Sequence, residues 1–234
     1  LPARSGMGSS SCFVVGLINT LHSLKGTNIT KELLAKKSIH FEQKILREIV
    51  GSQDQIAAAY GGFNKILFLP NGKFKVQPIN SINLKKSKFN ENFVLLYTGI
   101  KRTAHHIAKS YVKRLTKDKK NEIIRIIEFV EEGESLLKNK SYDDFGKLLH
   151  ESWLRKKTLS NKITSSTIDD IYNKAIKKGA LGGKLLGAGG GGFLLLYVPK
   201  HKQKIFLKNF DKFVHIPFDF ENTGSKIIFK HNNR

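Results

Sequence analysis

The chain is short of cysteine, of acidic side chains, of arginine and of long apolar runs, and each shortage excludes a class of protein. Among 234 residues there is one cysteine, Cys12. An internal disulfide framework is excluded, and a lone thiol fits a reducing, cytoplasmic compartment. Lying on the apolar side of a predicted helix, Cys12 reads as a small core residue and not as a nucleophile. No apolar run approaches the ~20 residues that cross a bilayer, so no membrane partner is expected. Nor does a charged segment precede an apolar one at the start, so a signal peptide does not account for the opening at Leu1. Acidic residues number 19 against 41 basic ones, a formal charge of +22. Such an excess raises nucleic-acid binding. Arginine, however, forks best onto bases and phosphates, and only 7 Arg stand beside 34 Lys spread along the whole chain. Abundant Lys, Asn and Ile read as codon bias on solvated faces, and a basic surface also steers phosphorylated substrates. No specific nucleic-acid partner is expected.

Hydrophobic residues make up 40% of the chain, enough for a core and for one or two domains. The most informative stretch is the opening, Leu1-Pro2-Ala3-Arg4-Ser5-Gly6-Met7-Gly8-Ser9-Ser10-Ser11, a glycine-serine loop running into a helix-period segment from Cys12 to Lys25. Glycine lets backbone approach a ligand closely. The helix aims its unpaired N–H groups and positive dipole end at the loop, which makes an anion cradle. A frayed terminus is a poor place for a ligand site. The expectation is therefore that this is the C-terminal part of a longer protein whose other residues share the site.

Helical periodicity is expected over Thr30 to Ile49, with Thr30 as N-cap, and over Asp54 to Tyr60, ended by Gly61-Gly62. Runs from Phe63 to Leu69 and Lys73 to Gln77 flank Pro70-Asn71-Gly72, a hairpin signal. The polar stretch Ser81 to Asn92 reads as a linker. Beyond it come a buried strand, Phe93 to Tyr97, and helices over Ala104 to Leu115, Lys120 to Leu137, Tyr142 to Lys157 and Ser166 to Lys177. A glycine-rich segment then leads into a strand from Phe193 to Val198. A helix from Lys202 to Phe213 and short strands near Ile216 and Ile227 close the chain. Strands and helices mix without strict alternation, which favours an α+β class. There is no internal repeat or heptad array.

Gly187-Ala188-Gly189-Gly190-Gly191-Gly192 spells G-x-G-x-x-G, but the adjoining run from Phe193 to Val198 reads as a strand and not a helix, so the dinucleotide fingerprint fails on context. No G-x-x-x-x-G-K-[ST] occurs, since the Gly-Gly-Lys at 182–184 is followed by Leu185. Four consecutive glycines exceed what a turn needs and are read as backbone close to a ligand.

Residues 2–11 resemble the P-x-x-x-G-L-G-S-S-A phosphate loop of the GHMP kinases, with Met7 for Leu and Ser11 for Ala. Lys184 to Phe193 is similar to that superfamily's C-terminal glycine motif. Residues 50–64 and 97–102 resemble the D-glycero-D-manno-heptose 7-phosphate kinase branch. The family's opening segment has no counterpart here. The resemblance implies a two-domain α+β fold: a partial ribosomal-S5-domain-2-like part over 1–80, a linker over 81–92, and a ferredoxin-like C-terminal domain over 93–234. It implies an ATP-dependent kinase using Mg²⁺, with a sugar phosphate as acceptor. Arg4, Ser5, Gly6, Met7, Gly8, Ser9, Ser10 and Ser11 would hold the ATP phosphates. Ser10 and Glu42 would ligate the metal, with Glu48 competing for the second place. Asp54 would be the catalytic base, its plain alternative being a helix N-cap. Arg102, Gly189, Gly190 and Gly191 would meet the sugar phosphate. His105-His106 carry no metal signature. Another GHMP small-molecule kinase, an inactive truncated relic and a homodimer all remain open.

Overall fold

The structure is a computed structural model and describes residues 6–79, 88–101 and 119–229. The chain forms two compact units, one containing residues 8–79 and 220–229, the other residues 6–7, 88–101 and 119–219.

In the first unit, α1 (Ser9–Leu24), α2 (Lys31–His40) and α3 (Gln53–Tyr60) pack together and are followed by a hairpin of β1 (Asn64–Phe68) and β2 (Phe74–Pro78). The α1 stripe that turns inward is Ser11, Val14 and Val15, with Ile18 half-covered, the spacing expected of one helix face. Cys12 lies one residue off that stripe and is exposed, so the expectation of a core cysteine is corrected by the phase of the helix. Thr30 caps α2 as expected, its hydroxyl accepting from the Leu33 N–H at 3.2 Å. The core is Val15, Leu34, Ala35, Ile56 and Ala59, with Ile66, Phe74 and Val76 of the hairpin against it. The helix expected to reach Ile49 instead widens at Phe41–Ile45 into a π-helical turn, after which Arg47 takes a positive φ of 55° and ends it. The segment after Asp219 returns to α3: the Ser225 N–H donates to Ala58 O at 2.9 Å and the Gly62 N–H to Glu221 O at 2.5 Å.

The second unit is built on a three-stranded antiparallel sheet of β3 (Phe93–Tyr97), β4 (Gly182–Leu185) and β5 (Phe193–Tyr197), in the order β3-β5-β4. Between β3 and β4 come α4 (Lys120–Lys138), α5 (Tyr142–Lys157) and α6 (Ser166–Lys177), and α7 (Lys200–Lys208) follows β5. The strand expected near Ile216 is reduced to a single bridge, His215 against Leu96, on the free edge of β3. With that bridge as a vestigial fourth strand, the order is that of a split β-α-β, the ferredoxin-like arrangement. No strand forms near Ile227. The core centres on Trp153, Tyr172, Leu194, Leu196, Phe206 and Phe210, each all but inaccessible, and full burial of a large apolar side chain contributes about 1.5–3 kcal/mol. Phe89, at the start of a 3-10 turn (Phe89–Asn92), is fully buried against Phe93, Tyr142, Phe145 and Tyr197. The end of the stretch read as a linker is thus part of this unit's core, and residues 220–229 go with the other unit. Both differ from the boundaries drawn on the sequence, because an aromatic residue inside a polar run and a returning tail reveal themselves only through contacts. Among the described residues no helix is long and apolar enough to cross a membrane.

Candidate functional site

The first turn of α1 is the point on which the chemistry-bearing residues of the first unit converge. Gly6 and Gly8 both have left-handed φ, 82° and 67°, and Gly8 is the N-cap of α1. With no capping side chain at Gly8, the first N–H groups of α1 are left for a ligand. A Cβ built on Gly8 would stand 3.3 Å from Asp54 Oδ2. Glycine suits the position twice over, because its φ strains other residues and because a Cβ would push the Asp54 carboxylate aside. Asp54 is half-buried in the first turn of α3, whose N-cap is Ser52, so Asp54 is not the cap that the sequence left open. Gln53 Nε2 donates to Asp54 Oδ1 at 3.3 Å.

Glu42 enters from the π-helical turn. The wide turn is closed by the Leu46 N–H on Phe41 O, and the Glu48 N–H reaches Glu42 O, each at 2.9 Å. Such π insertions recur at functional sites, where they rotate one residue out of the helical phase. Glu42 is completely buried, whereas Glu48 is exposed, which separates the two candidates. The Ser11 hydroxyl donates to both carboxylate oxygens of Glu42, at 2.9 and 3.2 Å, and the Gln55 amide donates to Oε2. A buried carboxylate is costly unless compensated. Here the compensation is two donors and the positive end of α1. Although Cys12 is exposed as a residue, its thiol is partly shielded from water, which is the first cause of its raised pKa, and the charges of Asp54 and then Glu42 raise it further.

The sequence profile described as GHMP kinases N terminal domain matches residues 1–62, and the one described as GHMP kinases C terminal matches residues 134–215. The chain belongs to the GHMP kinases. It is 33% identical over 213 residues to the D-glycero-alpha-D-manno-heptose 7-phosphate kinase of Campylobacter jejuni, an alignment covering 89% of this chain and 62% of that protein. The chain thus spans less than two thirds of the length of that relative. Mevalonate kinase from Methanococcus jannaschii superposes with a TM-score of 0.71 at 25% identity, over 92% of this chain and 64% of the other. A D-glycero-D-manno-heptose 1-phosphate kinase from Bacteroides thetaiotaomicron gives 0.68 at 24%, over 96% and 63%, a likeness of fold alone.

Against this GHMP kinase background, the residues assigned on the sequence fall into three groups. Gly6, Gly8, Ser9 and Ser10 form the loop and first turn of α1 as expected, and Met7 lies between the two left-handed glycines. Of the two residues assigned to the metal, Glu42 is buried and Ser10 exposed, and the hydroxyl bonded to Glu42 is that of Ser11, which lies on the inward stripe with Val14 and Val15. Arg4, Ser5, Arg102, His105 and His106, with the helix expected over 104–115, lie outside the described residues.

The second glycine run, in the other unit, forms the turn from β4 to β5. Its Gly190 N–H donates to Ile163 O at 2.7 Å and its Gly192 N–H to Ile100 O at 2.9 Å. A Cβ on Gly189 would lie 2.7 Å from Ile163 O, and one on Gly191 2.6 Å from Ile100 O. Part of the reason for these glycines is therefore packing against the protein's own carbonyls, and the Gly190 amide is already engaged. The buried Thr98 hydroxyl adds a bond to Gly192 O at 2.8 Å, tying the turn to β3. Thr98 and Gln55 have no role assigned on the sequence, and Ser11 has one toward the phosphates only. The Ser11 contact with Glu42 is detectable from helix phase, but Gln55 and Thr98 declare themselves only through their partners.

Proposed function

We propose that the protein transfers the γ-phosphoryl group of ATP to the anomeric hydroxyl of D-glycero-α-D-manno-heptose 7-phosphate, giving the 1,7-bisphosphate. The observation that carries this reading is the Asp54 carboxylate against Gly8 at the mouth of α1, in a chain 33% identical to a heptose 7-phosphate kinase. Phosphoryl transfer asks mainly for positioning and charge neutralisation. The amides of Ser9 and Ser10, with the dipole of α1, receive the β- and γ-phosphates. Asp54 takes the proton of the acceptor hydroxyl as the sugar oxygen bonds to the γ-phosphorus and the bond to the ADP oxygen breaks. Arg102 and the turn at Gly189, Gly190 and Gly191 are assigned to the sugar phosphate. Arg4 and Ser5 extend the phosphate loop.

Magnesium accompanying the nucleotide would neutralise charge on the transferring phosphate. The residues suit it: Glu42 is a buried carboxylate with no cationic partner among the described residues, the Ser11 hydroxyl is bonded to it, and Ser10 precedes Ser11 in the first turn of α1. An all-oxygen set is what Mg²⁺ prefers. Among the described residues no cluster of three or more His, Cys, Asp or Glu could hold a metal alone, and phosphate oxygens and water would supply the other ligands. The product would supply nucleotide-activated heptose for surface polysaccharide synthesis in the cytoplasm.

Release of ADP by the purified protein with Mg-ATP tests the reading. The 7-phosphate is expected to be turned over about 100-fold or more faster than free heptose, because a cationic pocket left unpaired penalises the neutral sugar. Equal turnover of galactose or mevalonate would reassign the protein to another acceptor.

A further inference from the structure

Gln55 is used neither by the motif nor by the reaction as written. It follows Asp54 in the first turn of α3 and is completely buried. Its amide nitrogen donates to Glu42 Oε2, and its carbonyl Oε1 is buried with no hydrogen-bond partner among the described residues. As a packing unit this is a poor choice, since an apolar side chain of the same length would fill the space without an orphaned acceptor. The amide cannot turn over to relieve the orphan, because Oε1 would then face the carboxylate. Glu42 dictates the orientation, and Gln55 accepts an unsatisfied oxygen in order to give Glu42 a second donor.

We propose that Gln55 is a positioning residue that, with Ser11, fixes the Glu42 carboxylate beside the first turn of α1, so that the cation accompanying a nucleotide meets a preset ligand. Without Gln55, Glu42 keeps only the Ser11 hydroxyl among the described residues, and its rotamers must be ordered when the cation arrives. The Gln55 side chain need not touch the nucleotide. This inference rests on the kinase reading.

Two variants of the full chain test it, Gln55→Met and Gln55→Glu, by calorimetric titration with ATP in Mg²⁺ and in EDTA and by thermal unfolding with and without Mg²⁺. Gln55→Met keeps the length and removes both donor and orphan. It should weaken Mg-ATP binding by about tenfold, as loss of an outer-shell partner does, and leave metal-free ATP within about twofold. Gln55→Glu sets a second carboxylate against Glu42, so its unfolding temperature should fall without Mg²⁺ and rise more on adding Mg²⁺ than that of the wild type. Wild-type Mg-ATP affinity in Gln55→Met, or equal losses with and without metal, overturns the inference in favour of a purely structural role. Should Gln55→Met not fold, Gln55→Glu decides: a Mg²⁺ response no larger than the wild type's overturns it. Wild-type protein that does not bind Mg-ATP at all overturns the kinase reading, and this inference with it, before any variant is compared.

Discussion

Two glycine-rich segments of this chain look alike in composition and are used differently. The first, Gly6 to Ser11, opens a helix whose leading N–H groups have no capping side chain, and its Gly8 abuts the Asp54 carboxylate. The second, Gly187 to Gly192, is a strand-to-strand turn whose Gly190 and Gly192 amides are bonded to the carbonyls of Ile163 and Ile100. In one, glycine clears space for chemistry. In the other it lets backbone lie on backbone. The element that comes next makes the difference: a helix leaves its first donors unpaired, whereas strands pair theirs.

The largest effect expected from this contrast is at Asp54. Asp54→Asn keeps the size and the contact with Gly8 but removes the base. Sugar-dependent ADP release should fall by about 10²–10⁴-fold, with Mg-ATP affinity largely retained. Activity within threefold of wild type would mean that Asp54 only shapes the loop. Next comes Gly189→Ala, whose Cβ would press on Ile163 O at a φ of 117°. Strain of this kind should destabilise by about 2–4 kcal/mol, read by denaturant unfolding, with nucleotide affinity unchanged in the folded fraction. The matched change Gly8→Ala should give the opposite balance. Its stability loss should be nearer 1 kcal/mol, since alanine tolerates φ near 67° at that penalty, but sugar-dependent ADP release should drop because the methyl displaces Asp54. If both alanines act on stability alone, the contrast between the two segments fails.

The smallest effect expected is at Cys12. Asp54 and Glu42 both raise its pKa, though burial raises it more. Removing the Asp54 charge lowers the thiol pKa toward its ordinary value, so a larger thiolate fraction exists at a given pH. Alkylation of Asp54→Asn by iodoacetamide at pH 8 should therefore be about twofold faster than that of the wild type. An unchanged rate would place the carboxylate too far from the thiol to matter.

Much of this molecule is legible in local pattern. The helices Tyr142–Lys157 and Ser166–Lys177, the strand Phe93–Tyr97 and the Thr30 cap all stand where periodicity and capping chemistry put them. Phase within a helix is less legible, and there the error is one residue: the pattern turns Cys12 inward where Ser11 is the buried residue. A step of about 100° per residue separates neighbours, so a face assigned one position off exchanges buried and exposed. The π-helical turn at Phe41–Ile45 leaves no sequence signal, because five residues of a helical pattern look the same whether the hydrogen bonds span four residues or five.

The amino-acid sequence by itself determined the type of most elements, the two glycine segments and membership of a kinase family, since these depend on short-range spacing and on residues adjacent in the chain. Only the tertiary structure decided that Ser11, Glu42 and Gln55 share one buried cluster, that Phe89 belongs to a core and not to a linker, and that the residues after Asp219 return to α3. Each of these turns on contacts between residues distant in the chain. Burial is what gives such contacts their weight: a carboxylate or an amide that water would solvate must, once inside, be answered by whichever groups the fold brings beside it.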